Sequence, residues 1–145
     1  MGMYCDQIKG YQMQVLDEYL ELWKTSSHDD TVWERYISDE AYEKLPQELK
    51  DLGFRPYYTY PEYPDKDNIM LLYDGVMGKY AWLIYIVDID YESDNESDPN
   101  ETINEMLKQI PVPSDIEEKM KKCYEIIFGK ECKNQIFFQE MSHWH

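Results

Sequence analysis

Six carboxylates stand at every second position near the middle of this chain: Asp88, Asp90, Glu92, Asp94, Glu96 and Asp98. In extended chain, alternate side chains share a face, so this spacing predicts one anionic ridge with charges about 6.6 Å apart. Like charges at that range repel, and a folding core gains nothing from them. Their chemistry is to meet something positive, either a metal ion or a basic protein surface. From Tyr80 to Leu107 the chain has eight carboxylates and no Lys, Arg or His.

Calcium is the first metal to weigh. Counted from Asp90, carboxylates fall at positions 1, 3, 5, 7, 9 and 12 of a twelve-residue loop that ends at Glu101. An EF-hand loop wants Gly at position 6, where this chain has Asn95. Its apolar position 8 is Ser97, and the chain before the loop reads as a strand rather than a helix. The residue types for zinc are Cys123, Cys132, His143 and His145, but their spacing matches no pair of short ligand hooks. No metal and no cofactor is assigned. Nucleophilic chemistry would need Cys5 with His28, or Cys132 with His143, and no local signature supports either pair. None of the six glycines falls in a phosphate-binding pattern. The chain is therefore read as a non-enzyme.

A second candidate surface is aromatic. Phe54 to Asp65 holds three prolines and the tyrosines Tyr57, Tyr58, Tyr60 and Tyr63. Proline excludes a helix here and favours extended chain, so the segment is either an ordered loop over the domain or a row of exposed anchors.

These residues must be held by a fold. Residues 4–24 place Ile8, Tyr11, Val15, Tyr19, Leu22 and Trp23 at three- and four-residue steps, which predicts an amphipathic helix. Thr31 with Glu34 matches a capping box for a short helix through Ile37. Ser38 or Asp39 suits the cap of the next helical stretch, and Pro46 the first turn of a helix ending at Gly53. Ile69–Tyr73 and Tyr80–Val87 read as a hairpin turned at Asp74-Gly75. From Asp88 the pattern alternates, with Ile89 and Tyr91 facing opposite to the carboxylates, so the ridge starts on a strand end and runs into a loop. Glu101–Ile110 reads as helical and stops at Pro111. Ser114 with Glu117 forms a second capping box. The stripe Ile116, Met120, Cys123 and Ile127 then predicts a helix closed by Gly129. Ile136–Met141 is a last strand, and His143 and His145 read as a frayed tail. The order predicts an α+β fold: a small antiparallel sheet, made of the β-hairpin plus the C-terminal strand, packed with N-terminal and central helices on one face.

Composition bounds the rest. The chain has 145 residues, 43% hydrophobic and 15% aromatic, consistent with one domain over residues 1–145 that buries a sizeable core. Its net charge is −16. Residues 1–79 carry −8, residues 80–107 a further −8, and residues 108–145 are balanced. Direct nucleic-acid binding needs a basic footprint, and an anionic membrane surface needs the same. The absence of a signal segment and of a long apolar run leads to the expectation of a cytoplasmic protein. Three cysteines without a framework spacing read as reduced thiols.

Leu45-Pro46-Gln47-Glu48-Leu49-Lys50-Asp51-Leu52 resembles a segment of SUKH-type immunity proteins. That resemblance implies a protein that neutralises a toxin such as a nuclease. It spans eight residues, the glycine pair expected after it is replaced by Gly53 alone, and a proline-started helix accounts for the same residues.

These features converge on a small acidic inhibitor of a basic, nucleic-acid-handling protein: a nuclease, a CRISPR or restriction effector, or a toxin. Carboxylates would occupy Lys and Arg sites that otherwise hold phosphates, in the manner of a nucleic-acid mimic of the phage anti-defence, anti-CRISPR or immunity type. The contact residues expected are Asp88, Asp90, Tyr91, Glu92, Asp94, Glu96 and Asp98, then Tyr57, Tyr58, Tyr60 and Tyr63. The ridge spacing is about twice the 3.4 Å advance of phosphates on one strand, so the fit needs further acids such as Asp29, Asp30, Asp39, Glu40 and Glu43. The other readings are a cation-responsive binding module at residues 90–101, an enzyme without a recognisable motif, and a phage structural or assembly protein.

Overall fold

The computed structural model describes residues 4–59, 63–92 and 108–145. The hairpin forms where the sequence places it. Strand β2 (Ile69–Tyr73) pairs antiparallel with β3 (Ala81–Asp90), and Asp74 organises the turn between them. Its carboxylate accepts the amides of Val76, Met77 and Lys79, each at 3.1 Å.

The first correction concerns the N-terminal segment. Residues Cys5–Gln14 form a ten-residue strand, β1, and only Leu16–Thr25 is helical (α1). The helical period at Ile8, Tyr11 and Val15 is real in sequence, but sheet pairing on both sides overrides it. Strand β1 lies between β3 and β4 (Ile136–Trp144) in the antiparallel order β2-β3-β1-β4. Gly10 is the local reason that this strand fits. The register slips between Lys9 and Gly10, and a Cβ at Gly10 would stand 2.1 Å from the Tyr85 carbonyl oxygen. Only glycine allows the two backbones that close.

Around its middle the sheet is buried on both faces rather than on one. Gln12 and Ile84, which are register partners, are fully buried on one side, and Met13 and Leu83 on the other. Tyr19 of α1 stacks on Tyr73 at 4.2 Å between ring centroids. Two-sided burial of this kind accounts for the apolar run Ala81–Ile86.

Short helices follow α1. Helix α2 (Val32–Tyr36) has the expected cap, with Thr31 Oγ1 accepting the Glu34 amide at 3.2 Å. Helix α3 (Ala41–Lys44) begins after Glu40, so neither Ser38 nor Asp39 caps it; the Ser38 hydroxyl donates to the Glu34 carbonyl instead. Helix α4 (Gln47–Asp51) starts after Pro46, and Gly53 closes it at φ 88°. Helix α5 (Ser114–Phe128) buries Met120, Cys123, Tyr124 and Ile127 and ends at Gly129, φ 71°. Its cap position is Pro113, one residue before the expected Ser114, and no side chain caps it. The helix expected over Glu101–Ile110 lies outside the described residues up to 107, and residues 108–110 are turn and bend.

The second correction concerns the C-terminal tail. It is strand, not fray. Strand β4 runs through Trp144 against β1, and Tyr4 and His145 exchange backbone hydrogen bonds of 2.8 and 2.9 Å. Among the described residues no helix is long and apolar enough to cross a membrane.

Candidate functional site

At the end of the sheet where β3 stops, a cleft of about 220 Å³ opens between Asp6, Tyr57, Tyr58, Tyr63, Tyr91, Glu92 and His145. Four separated segments build it. Strand β1 supplies Asp6, whose register partner on β4 is His143. His145 follows directly on β4 and, held by its backbone hydrogen bonds to Tyr4, lies two residues on and on the same face, because side chains alternate along extended chain. The turn after β3 supplies Tyr91 and Glu92. The segment between α4 and β2 supplies the remaining tyrosines. It is tied down by a parallel bridge from Phe54 to Ile69 and by the Tyr58 amide on the Ile37 carbonyl at 3.0 Å.

Asp6 is the hub. It is 1% exposed, and among the described residues its carboxylate accepts three hydrogen bonds. Oδ2 takes the Tyr57 hydroxyl and, at 3.0 Å, His145 Nε2. Oδ1 takes the Glu92 amide at 2.8 Å. Glu92 adopts φ 53°, a left-handed turn that aims its N–H back at Asp6. Burial raises the Asp6 carboxyl above its ordinary value, and the Glu92 amide and the His145 ring offset part of that rise.

Behind the cleft stands His143, 1% exposed. Its Nδ1 shares a hydrogen bond of 2.7 Å with the Tyr80 hydroxyl. Its ring stacks on His145 at 5.7 Å and meets the Tyr57 ring edge-on at 5.3 Å. Burial lowers its pKa to about 4, the His145 ring adds to that, and Asp74 opposes it. His143 is therefore neutral at pH 7. Burial pushes the Tyr58 hydroxyl up to about 12, with the Asp6 charge and Tyr63 adding to the effect. Tyr91 is raised by burial and then by Asp6. The Asp6 charge thus reaches the rings of the cleft.

The two sets of contact residues expected from sequence meet here in part. Tyr63 and Tyr91 lie 5.6 Å apart, Tyr57 and Tyr91 6.3 Å, and the Tyr91 hydroxyl donates to the Pro64 carbonyl at 2.8 Å. Tyr63 is 45% exposed and Tyr58 half-buried. Tyr57 is a correction: at 2% exposure, with its hydroxyl on Asp6, it is a wall of the cleft and not a surface anchor. Tyr60 lies outside the described residues.

Asp88, Asp90 and Glu92 are exposed, whereas Ile89 and Tyr91 are half-buried, so the expected alternation holds at the end of β3. Asp88 stands opposite Lys9 and Asp90 opposite Gln7. The strand ends at Asp90, and the left-handed Glu92 breaks the regular spacing there. Asp94, Glu96 and Asp98 lie outside the described residues, as does most of the loop 90–101 weighed for calcium.

The other constellations do not assemble. The Cys132 thiol meets Met13 Sδ at 3.6 Å, and His143 pairs with Asp6. Met13 and Asp6 point to opposite faces of β1. Among the described residues no group of three or more His, Cys, Asp or Glu is placed to hold a metal ion. Cys5 is buried in β1, whereas His28 is exposed beside Asp29. Among the described residues the cleft lining includes no Ser, Thr, Cys or Lys. Its buried carboxylate and rings can bind and orient a group.

Sequence reasoning missed Asp6 and Tyr80, and weighed His143 and His145 only as zinc ligands, as a base for Cys132 and as a frayed tail. The signal that could have found the histidines is their two-residue spacing after a β-rich run, which puts both on one face of a strand. For Asp6 the signal is weaker: a lone Gly10 inside the segment argues for a bulged strand rather than a helix. No known protein family, curated protein or solved structure matches this chain.

Proposed function

We propose that this protein is an acidic inhibitor that docks on the basic surface of a nucleic-acid-handling protein and blocks it by competition. The observation that carries the reading is the aromatic cleft at the end of strand β3, lined by Tyr91 and Glu92. Asp88 and Asp90 are exposed on the other face of that strand end, opposite Lys9 and Gln7. The acids act at long range and the rings in contact. The net charge of −16 steers a basic partner during encounter. Short-range affinity comes from tyrosine contacts, since charge sets rate and specificity more than strength. Asp29, Asp39, Glu40 and Glu43 are also exposed, on the helical segment, and add to the long-range negative field.

The test is affinity capture from lysate of the native host at low and high salt, followed by an activity assay of what is retained. Its control is a variant with Asp88, Asp90, Glu92, Asp94, Glu96 and Asp98 changed to Asn or Gln. The expected result is a basic nucleic-acid enzyme that is held by the wild type, released by salt and inhibited when bound, and that the variant neither holds nor inhibits. Equal capture by both proteins, or capture without inhibition, overturns the proposal.

A further inference from the structure

We infer that the cleft is a socket for a guanidinium group, filled by one arginine side chain of the basic partner. This rests on the inhibitor reading for the identity of the partner, but the site stands on its own geometry. Three tyrosine rings that solvent reaches, Tyr58, Tyr63 and Tyr91, surround the opening, with the His145 ring 5.9 Å from Tyr58. The faces of tyrosine rings carry negative electrostatic potential and attract cations. Asp6 puts a buried carboxylate at the inner wall, Glu92 puts an exposed one at the rim, and among the described residues no Lys or Arg lines the cleft.

The geometry selects among cations. Among the described residues the donors that reach Asp6 are Tyr57, His145 and the Glu92 amide. The carboxylate therefore offers an incoming group its field more than its lone pairs. A lysine ammonium is compact and strongly hydrated, and it would give up its water for few acceptors. A guanidinium is planar and weakly hydrated, stacks on rings, and pairs side-on with a carboxylate such as Glu92. The cleft volume of about 220 Å³ is below that of sites for drug-sized ligands and suits a single side-chain head group. A nucleic-acid-handling surface is where such arginines are concentrated.

The test uses the whole isotope-labelled chain without a partner, at pH 8. The probe is N-acetyl-arginine amide. Its neutral isostere N-acetyl-citrulline amide and tetramethylammonium are the comparison arms. The expected result is saturable shifts at the amides of Tyr58, Tyr91, Glu92 and His145 with the arginine probe, at least tenfold weaker with citrulline. Tyr63→Ala and Glu92→Gln, both at exposed positions, should each weaken the probe by about two- to fivefold while the melting temperature holds. Asp88→Asn with Asp90→Asn should leave probe affinity within about twofold, because neither residue lines the cleft. Equal binding of citrulline, absence of saturable shifts at the cleft, or binding of tetramethylammonium but not arginine each overturns the socket. If the probe binds as expected and no basic protein is captured, the inhibitor reading fails and the guanidinium site stands.

Discussion

A proton placed on His143 would put a charge among Tyr57, Tyr80 and His145, at a position only 1% exposed. The folded state holds this ring neutral, with its pKa lowered from 6.5 to about 4, chiefly by burial. The unfolded chain binds that proton at the ordinary value. Between pH 6.5 and about 4 the unfolded state therefore carries more protons, and stability falls as pH falls. The full shift corresponds to about 3 kcal/mol, of which about 2 kcal/mol is lost by pH 5. Against a typical 5–15 kcal/mol of domain stability, that is roughly a fifth or more. The perturbation is His143→Gln, whose side-chain amide can still share a hydrogen bond with the Tyr80 hydroxyl. Urea unfolding from pH 7.5 to 4.5 measures both proteins. The variant should be less stable at pH 7.5, by about 1–2 kcal/mol for imperfect packing. The gap between the two should then close by about 2 kcal/mol at pH 5, because only the wild type loses the His143 contribution. Ring-proton NMR should show His143 neutral down to pH 5. A gap that does not change with pH, or a His143 ring titrating near 6.5, refutes the reasoning.

Other perturbations probe the frame around the site. Gly10→Ala places a Cβ 2.1 Å from the Tyr85 carbonyl oxygen, so β1 and β3 must separate; the loss should be about 3 kcal/mol, or about 10 °C in a thermal melt, and a loss below about 1 kcal/mol would contradict the close approach. Thr31→Ala removes the acceptor of the Glu34 amide and should cost about 1 kcal/mol in chemical denaturation, with Thr31→Ser restoring most of it. Cys5, Cys123 and Cys132 are all buried, and burial pushes the Cys123 thiol up to about 12. Ellman's reagent at pH 8 should leave all three untouched in the native protein and modify all three in urea; rapid native modification of Cys123 would show that α5 opens.

Elements governed by neighbours in the chain were legible in the sequence. The Asp74-Gly75 turn carries its own acceptor for three amides, so β2 and β3 are found from local residues. The same holds for the Thr31 cap and for Gly129, whose φ of 71° a glycine adopts at little cost. The alternation at Asp88 to Tyr91 was readable because the period of a strand belongs to its backbone. What remained hidden depends on partners far along the chain. Strand β1 carries Asp6 and Gln12 on its buried side, a pattern that no local rule reads as a central strand. Asp6 is tolerated there because Tyr57, Glu92 and His145 supply its hydrogen bonds across 51, 86 and 139 residues. The tail looked like fray for the same reason: His143 and His145 are ordered by β1, at the other end of the sequence. Sequence alone determined the excess of negative charge, the hairpin and the helix stops, because each follows from composition or from contacts within a few residues. Tertiary structure alone decided that Asp6, Tyr57, Tyr91, Glu92 and His145 line one cleft, because burial and long-range hydrogen bonds, not spacing, bring those four segments together.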